Sequence, residues 1–144
     1  SGNGHLEISI AQILSKIDRA IFIIDCMWNI DEKIVMNSTQ PFINALLSKK
    51  KNIQSPIIFH EQYLSTLNHP DKKLIKSIMK KNIALKEQIN NEKNKGFKNL
   101  YLIEQDGCIN EDSEATVDGI HFNDLGFERF SKHLINKLQE NRLV

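Results

Sequence analysis

The sequence has little of what staples, breaks or charges a chain. Two cysteines in 144 residues, Cys26 and Cys108, are too few for a disulfide framework. No CxxC or paired Cys/His spacing marks a zinc site. Three prolines and six glycines leave no low-complexity stretch and no interdomain linker, and no internal repeat is present. Neither sign of charge dominates: nineteen basic and eighteen acidic side chains give a formal charge of +1. Bulk electrostatics therefore gives no reason to expect a nucleic acid or an anionic membrane as partner. No apolar run approaches the roughly 18–20 residues that span a bilayer. The basic-then-apolar pattern of a signal peptide is also missing, so any export signal lies upstream of Ser1.

What is present is ordinary for a folded chain: 40% hydrophobic and 26% charged residues, in a length that suits one α/β domain over 1–144. Cys26 sits in an apolar run and reads as a small buried hydrophobe. Cys108 follows a glycine in a polar stretch and is expected to be exposed. A Cys26–Cys108 bridge stays open as a possibility.

Helical and strand-like segments alternate. Leu6, Ile10, Ile13, Leu14 and Ile17 recur at helical spacing and predict an amphipathic helix over about 6–18. The run 20–26, rich in β-branched residues, fits a strand covered on both faces. Residues 27–37 read as loop. Ser38 or Thr39 caps a helix to about Lys50, with Pro41 in its first turn and Phe42, Ile43, Leu46 and Leu47 inward. Lys49, Lys50 and Lys51 close it, where the helix dipole favours cations. A second strand is expected at 56–60. After His69-Pro70, Asp71 starts a long helix to about Lys95, marked by Leu74, Ile75, Ile78, Met79, Leu85 and Ile89, with a lysine-bearing solvated face and Gly96 as its stop. A third strand at 99–103, a polar loop at 104–122 and a final helix capped by Asn123 or Asp124 complete the chain. That helix turns Phe127, Phe130, Leu134 and Leu138 inward. The α-β-α-β-α-β-α order implies parallel strands and a three-layer α/β/α sandwich with right-handed crossovers. Three strands are few for such a sheet, and the chain opens on a helix, so further elements are expected before Ser1.

Open parallel sheets bind ligands beyond the carboxyl ends of their strands. The loops expected there are 25–29, 60–62 and 104–122, joined by Ser1-Gly2-Asn3-Gly4. The most specific string is Val117-Asp118-Gly119-Ile120-His121-Phe122-Asn123-Asp124-Leu125-Gly126. A carboxylate three residues before an imidazole reaches one ring nitrogen and leaves the other for a nucleophile. Such a carboxylate fixes the tautomer and stabilises the imidazolium during proton transfer.

Asp-Gly-x-His-x-x-x-x-Gly ahead of a C-terminal helix resembles the last block of the GDSL-like acylhydrolases, the SGNH hydrolases. The Ser1–Gly4 opening resembles the second block, and Asp25-Cys26-Met27-Trp28-Asn29 resembles the third, in the branch that carries Asp-Cys-x-x-Asn. The resemblance implies a flavodoxin-like SGNH hydrolase fold with strand order 2-1-3-4-5. It implies a Ser-His-Asp triad in which His121 is general base and acid, Asp118 orients it, and the Gly2 amide and Asn29 side chain donate to the oxyanion. The family's nucleophilic serine lies in a first block, which is not among these residues; Ser1 is not at its position. The strand at 20–26 would then be an apolar edge able to self-associate.

By the same resemblance the substrate is a small ester, for instance an acetylated carbohydrate, with no metal or organic cofactor, in a secreted or periplasmic setting. Trp28, His60 and Glu61 face the same edge as candidate substrate contacts. The acidic residues Glu104, Asp106, Glu111, Asp112 and Glu114 fit no EF-hand spacing and read as a solvated loop. The reading from another class is a non-catalytic α/β module that binds a partner or ligand through this edge. A flavodoxin-like or receiver-type domain would need a phosphate-binding loop or an acidic pocket after its first strand, and the sequence shows neither.

Overall fold

The computed structural model describes residues 3–17, 21–48, 54–63 and 71–144. Among them, three short parallel strands form one sheet: β1 (Phe22–Ile24), β2 (Ile57–His60) and β3 (Leu100–Ile103), in spatial order β1-β2-β3. Ile23 pairs with Ile58, and Ile58 with Tyr101. Four α-helices surround them: α1 (Ile8–Leu14), α2 (Glu32–Leu46), α3 (Lys72–Asn94) and α4 (Asp124–Glu140), with a 3-10 turn at Met27–Asn29.

Strand alternation sorts the core into two layers. Phe22, Ile57, Phe59 and Leu100 point to one face and meet Ala11 of α1, Val35, Phe42, Ile43 and Leu46 of α2, and Ala84, Leu85 and Ile89 of α3. Ile58 and Ile103 point to the other, against Leu138 and Leu134 of α4. This is the expected α/β/α sandwich. Each fully buried Ile, Leu or Phe removes enough apolar surface to stabilise the fold by roughly 1.5–3 kcal/mol, so β2, buried along its whole length, anchors the structure.

Several boundaries move. α1 is shorter than 6–18, because Leu6 takes a left-handed conformation (φ 56°) just before it. It buries Ala11, while Ile8, Ile10, Ile13 and Ile17 stand about half exposed, beside a half-exposed Ile23 on β1. Of the expected inward stripe, Leu6 is buried and Leu14 packs against the core, while Ile10, Ile13 and Ile17 face outward. α2 begins in the expected loop. Asp31 accepts from the Ile34 amide at 2.8 Å and caps it there, and Thr39 is interior, its Oγ1 donating to the Val35 carbonyl at 2.7 Å. Pro41 consequently lies inside the helix rather than in its first turn.

On α3, Met79 is exposed and Lys81 buried, the reverse of expectation. On α4, Leu138 is buried but Phe127 is more than half exposed. Cys108 is also not exposed: it packs with Tyr63, Ile109 and Ala115 in a small core under the 104–122 loop. Both cysteines are free thiols, so no bridge joins them. Ser1, Gly2, Lys49, Lys50, Lys51, His69 and Pro70 lie outside the described residues, and so do the expectations placed on them. No helix among the described residues is long and apolar enough to cross a membrane.

Candidate active site

The site lies where β1 and the last loop come together at the carboxyl edge of the sheet. The loop is closed by backbone bonds. Thr116 and Phe122 form an antiparallel bridge, Val117 N donates to His121 O at 2.8 Å, and Gly119 turns the chain with φ 85°. Asn123 then does two jobs. Its Oδ1 accepts from Gly126 N at 3.0 Å, capping α4, and its Nδ2 donates to Glu114 O at 2.7 Å. Arg129 grips Asp112 with two 2.7 Å bonds and the Ile109 carbonyl with a third, which ties the acidic stretch to α4.

In the turn, Asp118 Oδ1 accepts from the amides of Ile120 (2.9 Å) and His121 (2.8 Å). Its Oδ2 stands 2.7 Å from His121 Nδ1. The His121 amide, the His121 ring and the Ile120 amide together push the Asp118 carboxyl down to about 2. An ionised carboxylate can only accept, so Nδ1 carries a proton, which leaves Nε2 as the nitrogen that can take one up when the ring is neutral. The predicted carboxylate–imidazole pair is thus formed, with the ring open to solvent.

His121 and Asn29 line one cavity of about 620 Å³. Asp25 and Ser131 are its other polar walls; Trp28, Ile120, Phe122, Phe127 and Phe130 are the apolar ones. Phe122 sits at the centre of the rings, edge-on to Trp28 (6.4 Å between centroids) and to Phe127 (5.7 Å), and tilted on Phe130 (5.6 Å). Atoms packed around Asp25 raise its pKa even though one side meets solvent. Gly4, at φ 64°, lies against the Asn29 amide: a Cβ there would stand 2.9 Å from Nδ2. Gly2 is outside the described residues, so this neighbour is the described point where the Ser1–Gly4 segment meets Asn29.

Two expected substrate contacts are not at the cavity wall. His60 is buried, its ring 4.9 Å from that of Phe130 and 6.1 Å from that of His133. Its Nδ1 meets the Glu61 carbonyl at 2.5 Å, and its Nε2 is buried with no hydrogen-bond partner. Desolvation pushes its pKa down to about 4. Glu61, half-buried, accepts instead from the Gln105 amide at 3.2 Å. Both follow a strand at the correct edge, but β2 is the central strand and its end is roofed by α4.

The cavity's own hydroxyl and nearby thiol are poor nucleophiles. Ser131 Oγ donates to the Phe127 carbonyl at 2.7 Å. Burial, with Asp25 adding a like charge, pushes the Cys26 thiol up to about 12. Among the described residues no group of three or more His, Cys, Asp or Glu is placed to hold a metal.

Comparison with known proteins places the chain in a family. The chain belongs to the GDSL-like Lipase/Acylhydrolase family, whose model matches residues 1–139. It is similar to a protein of Bacteroides ovatus ATCC 8483 described as a GDSL-like lipase, with 34% identity, a TM-score of 0.88 and coverage of 97% of this chain and 41% of that one. It also shares its fold with the salicylyl-acyltransferase SsfX3 from a tetracycline biosynthetic pathway, at 10% identity, a TM-score of 0.78 and coverage of 98% and 43%. The chain therefore spans about two fifths of the length of each. No curated protein matches it.

Proposed function

We propose that this chain supplies the acid–base half of a serine ester hydrolase whose nucleophile comes from a segment outside these residues. The observation that carries the reading is the 2.7 Å Asp118–His121 contact on the rim of a cavity shared with Asn29. His121 Nε2 takes the proton of the serine hydroxyl as its oxygen attacks the ester carbonyl. The Asn29 amide, with the Gly2 backbone N–H, donates to the developing oxyanion. A donor of that kind is worth roughly 10²–10³ in rate. Collapse releases the alcohol, which takes its proton from His121, and leaves an acyl-serine. Water, deprotonated by the same ring, then frees the acid. Asp118 stays ionised throughout and holds the imidazolium. The substrate we favour is a small ester on a carbohydrate. In support, the cavity sets flat aromatic walls beside Asp25 and Asn29, which suits a ligand with both C–H faces and hydroxyls.

A second reading, a non-catalytic binding module, draws on Ser131 and Cys26, neither of which is free to attack. A fluorophosphonate probe with intact-mass detection separates the two. The hydrolase reading expects a single adduct on the full-length polypeptide, lost in His121→Ala. An unlabelled full-length protein would leave the binding module.

A further inference from the structure

Lys81 stands in the middle of α3 and is buried, with 7% of its surface exposed. Among the described residues it has no carboxylate within ion-pair distance. Its Nζ donates instead to two backbone carbonyls, Met27 O at 2.5 Å and Ile30 O at 2.8 Å. These carbonyls bracket the 3-10 turn that carries Trp28 and Asn29. Burying an ammonium group is costly unless its protons are satisfied, and here backbone dipoles do so. Burial lowers the Lys81 pKa while Asp31 opposes the shift. The next residue acts alike on the next loop: Asn82 exchanges bonds with both the amide (3.0 Å) and the carbonyl (2.8 Å) of Gln62, just past β2. A turn later, Lys86 meets Glu104, just past β3. One helix thus addresses the loops after all three strands.

We propose that Lys81 is a positioning residue for Asn29: its two carbonyl bonds hold the 27–30 turn so that the Asn29 amide faces the cavity beside His121. The catalytic part of this rests on Asn29 as oxyanion donor. The clasp itself does not, since it is a matter of backbone order. An oxyanion donor must be fixed before charge develops. The turn needs such a tie because its cap residue, Cys26, makes no side-chain capping bond.

The test uses Lys81→Met, which keeps the stem and removes the ammonium, alongside Asn29→Ala and the double variant. Hydrogen exchange of the peptide over 27–30 is expected to quicken at least tenfold in Lys81→Met, with β2 and β3 unchanged. In the full-length polypeptide, with p-nitrophenyl acetate as substrate, kcat is expected to fall about 10–100-fold with KM within about twofold, as for a partly misplaced donor. The double variant is expected to be no slower than Asn29→Ala alone. Unchanged exchange over 27–30 would overturn the proposal, as would effects on kcat that multiply in the double variant. If Asn29→Ala leaves kcat intact, the oxyanion reading falls and the positioning claim with it, and the exchange result then reports the clasp alone. Should Lys81→Met not fold, Lys81→Gln, whose shorter amide reaches less far, is judged by the same criteria.

Discussion

The two halves of the candidate site are held by opposite means. The Asp118 turn ties itself: its three bonds from the carboxylate span two or three residues, and the side chains involved are open to solvent. The Met27–Asn29 turn is tied from far away, by a buried lysine 54 residues from Met27 and 51 from Ile30. A locally bonded turn keeps its shape whatever the rest of the sheet does. A remotely bonded one is only as good as the helix that reaches it. Under the proposed hydrolase reading, proton transfer would rest on local chemistry and oxyanion binding on tertiary structure.

The strongest way to break that contrast is at Gly126. The turn containing Asp118 is self-contained, but its base is not: an ideally placed Cβ at 126 would stand 2.1 Å from the Ala115 carbonyl oxygen and 3.0 Å from Phe122 Cβ. Backbone cannot yield as a side-chain tip does, so Gly126→Ala is expected to cost about 3 kcal/mol in urea unfolding, at the upper end of overpacking effects. Wild-type stability in that variant would mean that the loop slides freely on α4, and the turn would be independent at its base as well.

His60, buried at the end of the central strand, gives the next largest effect. Its folded pKa of about 4 is below the ordinary 6.5. Above pH 6.5 the ring is neutral folded and unfolded, and contributes nothing to pH dependence. As pH falls through 6.5 the unfolded chain takes a proton that the folded chain refuses until about pH 4, so stability drops across that window. Between pH 7.5 and pH 5 the loss is expected to be about 2 kcal/mol. Asp25 and Glu61, whose burial raises their carboxyls, act in the opposite sense as they protonate. Asp118 and Asp112, held near about 2, keep their contribution until lower pH. Urea midpoints at the two pH values check this. A loss of the same size in His60→Leu would place its source elsewhere.

These differences also decide what could be read from sequence. Asp118 and His121 were legible because their contact is made within four consecutive residues. The cap of α4, expected at Asn123 or Asp124 and found at Asn123, was legible for the same reason. Asn29 was visible only through the resemblance of Asp-Cys-x-x-Asn to a family block. Lys81 was not visible at all, although the signal exists. Ile78, Lys81 or Asn82, Leu85, Ile89 and Glu92 keep one helical phase, and all are buried. Two of the residues that break the apolar pattern on that face, Lys81 and Asn82, reach across to the loops, while Glu92 pairs with Lys95 at the helix end, and among several lysines on α3 the buried one looks like the others. The early start of α2 was missed because Asp31 outcompetes Ser38 as a cap, and the burial of Cys108 because its core is completed by distant Tyr63 and by the fold of its own loop onto Ala115.

The smallest effect is the most useful control. Lys86 and Lys81 share a helix, and both are bonded to a loop at the site edge. Lys86 meets Glu104 side chain to side chain, with both about half exposed. In solvent such a pair is screened, and its attraction is offset by the entropy of holding two long side chains. Lys86→Ala is therefore expected to leave the urea midpoint unchanged within error and exchange over 104–106 as in the wild type. Should it loosen its loop as much as Lys81→Met loosens 27–30, burial would not be what makes a lysine a clasp. The contrast between the self-tied and the remotely tied turn would then reduce to sequence distance alone.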